Sequence, residues 1–147
     1  MNGASRGCAL ALDHGTKRVG FAVVDPLGIA VNPLEAWADD GGGETSLFRY
    51  VAKLLDERTV GVFVIGLPLG TAGEENPRSL EVREFARRLG ARFPGVAIEF
   101  QDERLSTKEA LELAKEAGKF GAERRRWKDS LSALVVLRDW LERSNPG

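Results

Sequence analysis

The chain has one cysteine, one histidine, one methionine and one tyrosine among its 147 residues. A single cysteine, Cys8, excludes an intrachain disulfide and a cysteine-built zinc site. Cys8 reads as a small buried strand residue; the competing reading, a reactive thiol, has only His14 for a partner, beyond a charged turn. Long apolar runs are also missing. The run Cys8 to Leu12 ends at Asp13, too short for a signal-peptide core or a membrane span. The expectation is a soluble, cytoplasmic protein without a membrane partner. An excess of either charge is lacking too: 21 Lys and Arg stand against 22 Asp and Glu, a net charge of −1. No bulk attraction to a polyanion exists, so any such binding has to come from local patches. With 6 Pro, 17 Gly, 43% hydrophobic and 29% charged residues, the composition is that of an ordinary folded chain of one-domain size. One domain is expected over residues 1–147, with flexible termini at 1–7 and 144–147.

The patterning that is present predicts a mixed α/β order. Cys8 to Asp13 reads as a buried strand. Val19 to Asp25 reads as a second, followed by the turn Asp25-Pro26-Leu27-Gly28, and Ile29 to Trp37 as a third, with Pro33 marking an edge or a bulge. Asp39 to Gly43 is a loop by composition. Leu47, Val51, Leu54 and Leu55 then share one helical face. Val62 to Gly66 is a continuous apolar run suited to the centre of a parallel sheet, and Leu67 to Gly73 a flexible loop. Asn76-Pro77 opens a second helix with Val82, Phe85, Ala86 and Leu89 on its buried stripe. Gly95 to Phe100 is a fifth strand. Ser106 with Glu109 forms a capping box for a third helix ending at Gly118, and a last helix runs from about Asp129 to Arg143. A three-stranded antiparallel meander followed by parallel strands, with helices on the faces, matches the ribonuclease H-like mixed five-stranded sheet.

The acids fall at informative places. Asp13 closes the first strand, Asp102 and Glu103 follow the fifth, and Asp129 opens the last helix. If the first and last strands lie near the sheet centre, Asp13 and Glu103 emerge at one carboxyl edge, where open sheets place their ligands. Converging carboxylates repel one another unless a divalent cation neutralises them. Hard oxygen donors suit Mg²⁺ or Mn²⁺, and a pair of ions about 3.5 to 4 Å apart clamps the two oxygens of a phosphodiester displacement. Each acid also has a plainer role: Asp129 as an N-cap, Glu103 in a surface ion pair with Arg104. Asp13 is the hardest to explain that way, since an acid ending an apolar strand needs a partner. Gly15 is expected to leave the backbone open to a ligand. Thr16, Lys17 and Arg18 are placed to hold phosphates, or else form a solvated hairpin entrance. Arg124, Arg125, Arg126 and Lys128 adjoin Asp129, with Trp127 as a stacking ring or a core anchor. Arg83, Arg87, Arg88 and Arg92 form a row on the second helix that reads as a solvated face or a nucleic-acid contact. His14 is either a proton shuttle or a neutral turn histidine.

Five segments occur in the order found in the YqgF/RuvX family: Ala11-Leu-Asp-His-Gly-Thr-Lys-Arg-Val-Gly-Phe-Ala-Val-Val-Asp25, Val64-Ile-Gly-Leu-Pro-Leu69, Asn76-Pro77-Arg78, Asp102-Glu-Arg-Leu-Ser-Thr107 and Asp129-Ser-Leu-Ser-Ala133. The chain resembles that family over roughly residues 8–142. The resemblance implies an RNase H-like fold related to RuvC. It also implies a metal-dependent nuclease of ribosomal RNA maturation, discussed as a Holliday-junction resolvase as well. By position it implies that Asp13, Glu103 and Asp129 are the catalytic acids and metal ligands. His14 stands where the family more often has tyrosine, and no role is carried over to it. The expected enzyme takes Mg²⁺ or Mn²⁺ and acts on structured RNA or branched DNA as a monomer or homodimer. Thr16, Lys17, Arg18, Arg104, Arg124, Arg125, Arg126 and Lys128 are its phosphate-holding residues. Two other classes compete. Asp13-x-Gly15-Thr16 resembles the first phosphate loop of the actin and sugar-kinase superfamily, which transfers phosphoryl groups from ATP and needs two such domains to enclose the nucleotide. A non-catalytic RNA-binding or ribosome-assembly factor on the same fold would bind RNA independently of the acids and of divalent ions.

Overall fold

The computed structural model describes residues 8–28, 30–103, 112 and 121–144, with the side chains of 121–129 and 144 outside the description. The described elements are β1 (Cys8–His14), β2 (Arg18–Val24), β3 (Val31–Ala38), α1 (Gly43–Glu57), β4 (Val60–Leu67), α2 (Pro77–Arg92), β5 (Ala97–Asp102) and α3 (Gly121–Ser144). The strands form one sheet in the order β3-β2-β1-β4-β5. The β1–β2 and β2–β3 pairs are antiparallel, whereas β1–β4 and β4–β5 are parallel. This is the expected meander followed by parallel strands. The predicted helix at Ser106 to Gly118 falls outside the described residues apart from Glu112, as do the termini apart from Ser144.

Strand composition follows strand position. β4 has a parallel neighbour on each side and reads Val-Gly-Val-Phe-Val-Ile-Gly-Leu, apolar throughout because both its faces are covered. β3 is an edge strand, so Pro33 interrupts nothing that a neighbour needs. The turn after β2 is closed by the Gly28 N–H donating to the Asp25 carbonyl at 2.9 Å, with Gly28 at φ 74°. Within the loop that follows β4, residues 70–74 are hydrogen-bonded to one another. The Gly70 N–H donates to the Glu74 carbonyl and the Gly73 N–H to the Gly70 carbonyl, each at 2.8 Å, and Glu74 Oε1 accepts from the Ala72 N–H at 3.0 Å.

Helices cover both faces. On one, α1 and α2 press Leu47, Val51, Val82, Phe85 and Leu89 onto Leu10, Leu12, Phe21, Phe63 and Ile65. On the other, α3 lays Ala133, Leu134, Val136 and Leu137 over Ala9, Ala11, Ala22 and Val64. The alanines of β1 and β2 bring this helix close to the sheet. α2 starts at a capping box in which the Asn76 side chain accepts from the Ser79 N–H at 2.9 Å and Ser79 Oγ accepts from the Asn76 N–H at 2.8 Å. Cys8 is buried, its thiol donates to the Thr59 carbonyl at 3.1 Å, and burial pushes its pKa up. It is the inert strand residue.

The last helix already runs at Gly121, eight positions before the predicted start, so the backbone of Asp129 lies within it and not at its N-cap position. Residues 121–128 are mostly helix-favouring Ala, Glu, Arg and Lys without an apolar stripe. Reading apolar spacing alone therefore misses that stretch. The helix is fastened at both ends of its sheet-facing length. Fully buried Ser130 is inserted between β2 and β3. Its hydroxyl accepts from the Phe21 N–H at 3.1 Å and donates to the Leu34 carbonyl at 2.6 Å, beside the register shift between Val19 and Phe21. Further on, Trp140 Nε1 donates to Glu99 Oε1 at 2.8 Å and Arg143 donates to the Phe100 carbonyl at 3.2 Å, both on β5. Ser130→Ala strands a donor and an acceptor in the interior, and the expected loss is about 1–3 kcal/mol, read as a lower urea midpoint with an unchanged slope. An unchanged midpoint would mean that Phe21 and Leu34 can pair without the hydroxyl.

Candidate active site

Alternation along the strands decides which acids can meet. Ala9 and Ala11 face α3, so Asp13, two residues on, faces the same way at the end of β1. On β4, Val64 faces α3 and Gly66 follows it. Leu12 pairs with Ile65, which sets Asp13 and Gly66 side by side one step further. β5 ends with Asp102 opposite Leu67, and the Glu103 N–H donates to the Leu67 carbonyl at 3.1 Å. The Glu103 side chain turns back over Gly66, and its carboxyl hydrogen-bonds to that of Asp13. Two acids on strands flanking β4 thus join above it, at the carboxyl edge. β1 is central as expected, but β5 is an edge strand. The acids converge because Glu103 reaches across β4.

This pair carries a strong electrostatic load. Burial, then the hydrogen bond to Asp13 and then the charge of Asp13 push the Glu103 pKa up to about 9. The rise favours the protonated carboxyl of Glu103, the form able to donate to Asp13. Arg78 opposes the rise. Its guanidinium donates to the His14 carbonyl and, at 2.8 Å, to Glu81 Oε1, joining the first turn of α2 to the residue after Asp13. Arg78 was absent from the sequence-derived site. The available signal was its place directly after the Asn76-Pro77 cap, which puts it in a first turn at the carboxyl edge of β4.

His14 points to the opposite face from Asp13. Its ring stacks on Phe85 of α2, centroids 4.1 Å apart and planes at 27°. Burial, then Arg78, lowers its pKa to about 4. It is a neutral packing residue rather than a proton shuttle. Gly15 also differs from expectation: a Cβ there would stand 2.6 Å from the Arg18 carbonyl oxygen, which accepts from the Gly15 N–H at 2.8 Å. The glycine makes room for the turn and not for a ligand.

Thr16, Lys17 and Arg18 are exposed on that turn, at the same sheet edge as Asp13. The arginine row of α2 is engaged within the protein. Arg83 pairs with Glu75 at 2.7 Å, Arg88 with Glu44 at 2.7 Å and Arg87 with Glu84, while Arg92 lies 4.8 Å from the Phe93 ring centroid. Its charge is largely compensated by neighbours. Arg104 falls outside the described residues. Arg124, Arg125, Arg126, Trp127, Lys128 and Asp129 belong to the described backbone of α3. Ser130 bonds to Phe21, the neighbour of Gly20, and Gly20 pairs with Asp13. The backbone of residue 129 is therefore held at the end of the sheet that carries the acid pair. Among the described residues, no three His, Cys, Asp or Glu side chains are grouped to hold a metal; the described core of the site is Asp13 with Glu103. Among the same residues, no helix is long and apolar enough to cross a membrane.

Residues 7–143 match the RuvX family, described as Holliday junction resolvase. Among curated relatives, a protein of Sodalis glossinidius named "Putative pre-16S rRNA nuclease" is 38% identical over 140 residues, 95% of this chain and 96% of its own. A protein of the same name from Pectobacterium carotovorum is 40% identical over 133 residues, covering 90% and 94%. Among solved structures, Thermus thermophilus RuvC superposes with a TM-score of 0.61 at 14% identity over 93% of this chain and 95% of its own. The Fowlpox virus resolvase, solved with Holliday junction DNA, does so with a TM-score of 0.61 at 10% identity, covering 94% and 99%. The RuvC likeness supports the RNase H-like assignment of the sheet. With its sheet order, its acid edge and a match running through almost the whole sequence, the chain belongs to the RuvX family of Holliday junction resolvases, enzymes that cleave phosphodiester bonds.

Proposed function

We propose that this chain, as a single RNase H-like domain, is a divalent-cation-dependent endonuclease acting on structured nucleic acid, in the maturation of pre-16S rRNA or at four-way junctions. The observation that carries the reading is the meeting of Asp13 and Glu103 above Gly66 at the carboxyl edge of the sheet. Two half-buried carboxyls in contact are a mismatched pair without a cation, and an oxygen-only donor set fits Mg²⁺ or Mn²⁺. A bound divalent cation lowers the pKa of an attacking water and neutralises charge developing on the phosphate. Asp13 and Glu103 hold the cation in this reading, and Asp129 completes the set from α3. Two such ions fit the family reading.

Thr16, Lys17 and Arg18 hold the backbone phosphates on one side of the acids, and Arg104, Arg124, Arg125, Arg126 and Lys128 on the other. These contacts orient the substrate without reading its bases. The family resemblance supports action in the cytoplasm on RNA, and a homodimer would suit a two-fold junction.

The deciding experiment offers precursor 16S rRNA and a four-way DNA junction to the chain with Mg²⁺, with Mn²⁺ and with excess chelator. Cleavage of one substrate that stops in chelator and in Asp13→Asn, Glu103→Gln and Asp129→Asn is the expected result. Cleavage in chelator contradicts the reading. RNA binding indifferent to both divalent ions and the three acids, with no cleavage, would establish a non-catalytic binding factor instead. Lys17→Ala with Arg18→Ala is expected to raise KM about tenfold or more and flatten the salt dependence of binding, with kcat little changed.

A further inference from the structure

β4 is built of residues that favour strands, yet it places a glycine where the sheet meets the acids. Glycine weakens a strand interior through its backbone entropy and its missing side chain. Gly66 is not among the described residues with positive φ, so the backbone conformation accounts for no glycine here. Space does. A Cβ on Gly66 would stand 2.8 Å from Glu103 Oε2, 3.0 Å from Glu103 Cδ and 3.1 Å from Val136 Cγ2. The volume that any other residue would fill is taken by the Glu103 carboxyl, with α3 closing over it.

We propose that Gly66 is a positioning residue: its bare Cα is the seat of the Glu103 carboxyl, and it lets an acid from an edge strand cross β4 to meet Asp13. The inference rests on the reading of Glu103 as a catalytic acid. The first contact to yield to a Cβ is the far end of a flexible side chain, so Glu103 swings aside while the strand pairing stays intact. Gly66→Ala therefore separates folding from function. Asp13 keeps its place, Lys17 and Arg18 are untouched, and the cation loses one of its oxygen donors.

The test measures Mn²⁺ affinity by electron paramagnetic resonance, together with kcat, KM and Tm, for the full chain and for Gly66→Ala, Glu103→Gln, Glu103→Asp and Gly66→Ala with Glu103→Asp. Gly66→Ala is expected to keep Tm within about 3 °C, to weaken Mn²⁺ binding and kcat each by about 10- to 100-fold, and to leave KM within about twofold. Glu103→Asp withdraws the carboxyl by one methylene and clears the added Cβ. Adding Gly66→Ala to it is expected to cost little more, a non-additivity that marks direct contact. Wild-type Mn²⁺ affinity and kcat in Gly66→Ala, with Glu103→Gln inactive, overturn the inference alone. Full activity of Glu103→Gln overturns the reading of Glu103 and the inference with it. Loss of the fold in both Gly66→Ala variants also overturns the inference, because something other than the Glu103 carboxyl then refuses the Cβ.

Discussion

Asp13→Asn and Glu103→Gln are each expected to lower kcat on the order of 10³-fold, within the range for removing a single electrostatic or acid–base group, while the protein stays folded. Neither Asp13 nor Glu103 belongs to the buried apolar core. Both lie half-buried at strand ends, and their carboxyls meet. Either amide keeps the shape and the hydrogen bond but removes charge from the donor set. KM for nucleic acid is expected to change little, because the exposed turn Thr16 to Arg18 is unaltered. A parallel fall in kcat and kcat/KM with KM constant is the signature of groups that act at the transition state. Activity within tenfold of wild type in either variant would remove the pair from the mechanism.

The same pair predicts an unusual pH dependence of stability in protein freed of divalent ions by chelator. Glu103 has an ordinary pKa near 4.5 when unfolded and about 9 in the fold. Between those values the folded state binds the extra proton, so stability falls as pH rises. The contribution is fully present below pH 4.5 and is gone above about pH 9. The loss across this window is read as a falling melting temperature. Glu103→Gln keeps a donor toward Asp13 without the titration. Its melting temperature is expected to exceed that of the wild type increasingly from pH 7 to pH 9, with the two converging near pH 5. Saturating Mn²⁺ should remove most of the wild-type decline, since a cation replaces the proton between the carboxyls. Parallel melting curves for wild type and variant across this range would contradict the acid pair as described. Loss of catalysis with gain of stability at the same residue is the behaviour of a site whose geometry is held against its own electrostatics.

The sheet was legible because its strands carry their positions in their composition. The apolar run Val62 to Gly66 announced a strand covered on both faces, Pro33 announced an edge, and Asp25-Pro26-Leu27-Gly28 announced the turn that Gly28 closes. Asn76-Pro77 marked the start of α2 at the observed residue. That α3 already runs through residues 121–128 was not legible, since that stretch is helical without an apolar period. Of the site, Asp13 and Glu103 were readable as acids at strand ends. How they meet was not, because it depends on strand order and on a missing side chain on the strand between them. Arg78 and Ser130 escaped for a related reason. Their partners, the His14 carbonyl, the Phe21 N–H and the Leu34 carbonyl, are backbone groups far away in sequence, and residue type alone does not point to such contacts. His14 was misplaced only in its alternative role as a shuttle; strand alternation, applied to Asp13 and His14 together, already sends them to opposite faces.

The central claim is that Asp13 and Glu103 form one divalent-cation site. Its most direct test is the anomalous density of manganese in crystals soaked with Mn²⁺ at neutral pH. The account predicts manganese within about 2.5 Å of carboxylate oxygens of both Asp13 and Glu103, with their mutual hydrogen bond broken and Asp129 turned toward the ion. Manganese bound only elsewhere, with the Asp13 and Glu103 carboxyls still paired at saturating Mn²⁺, would contradict it.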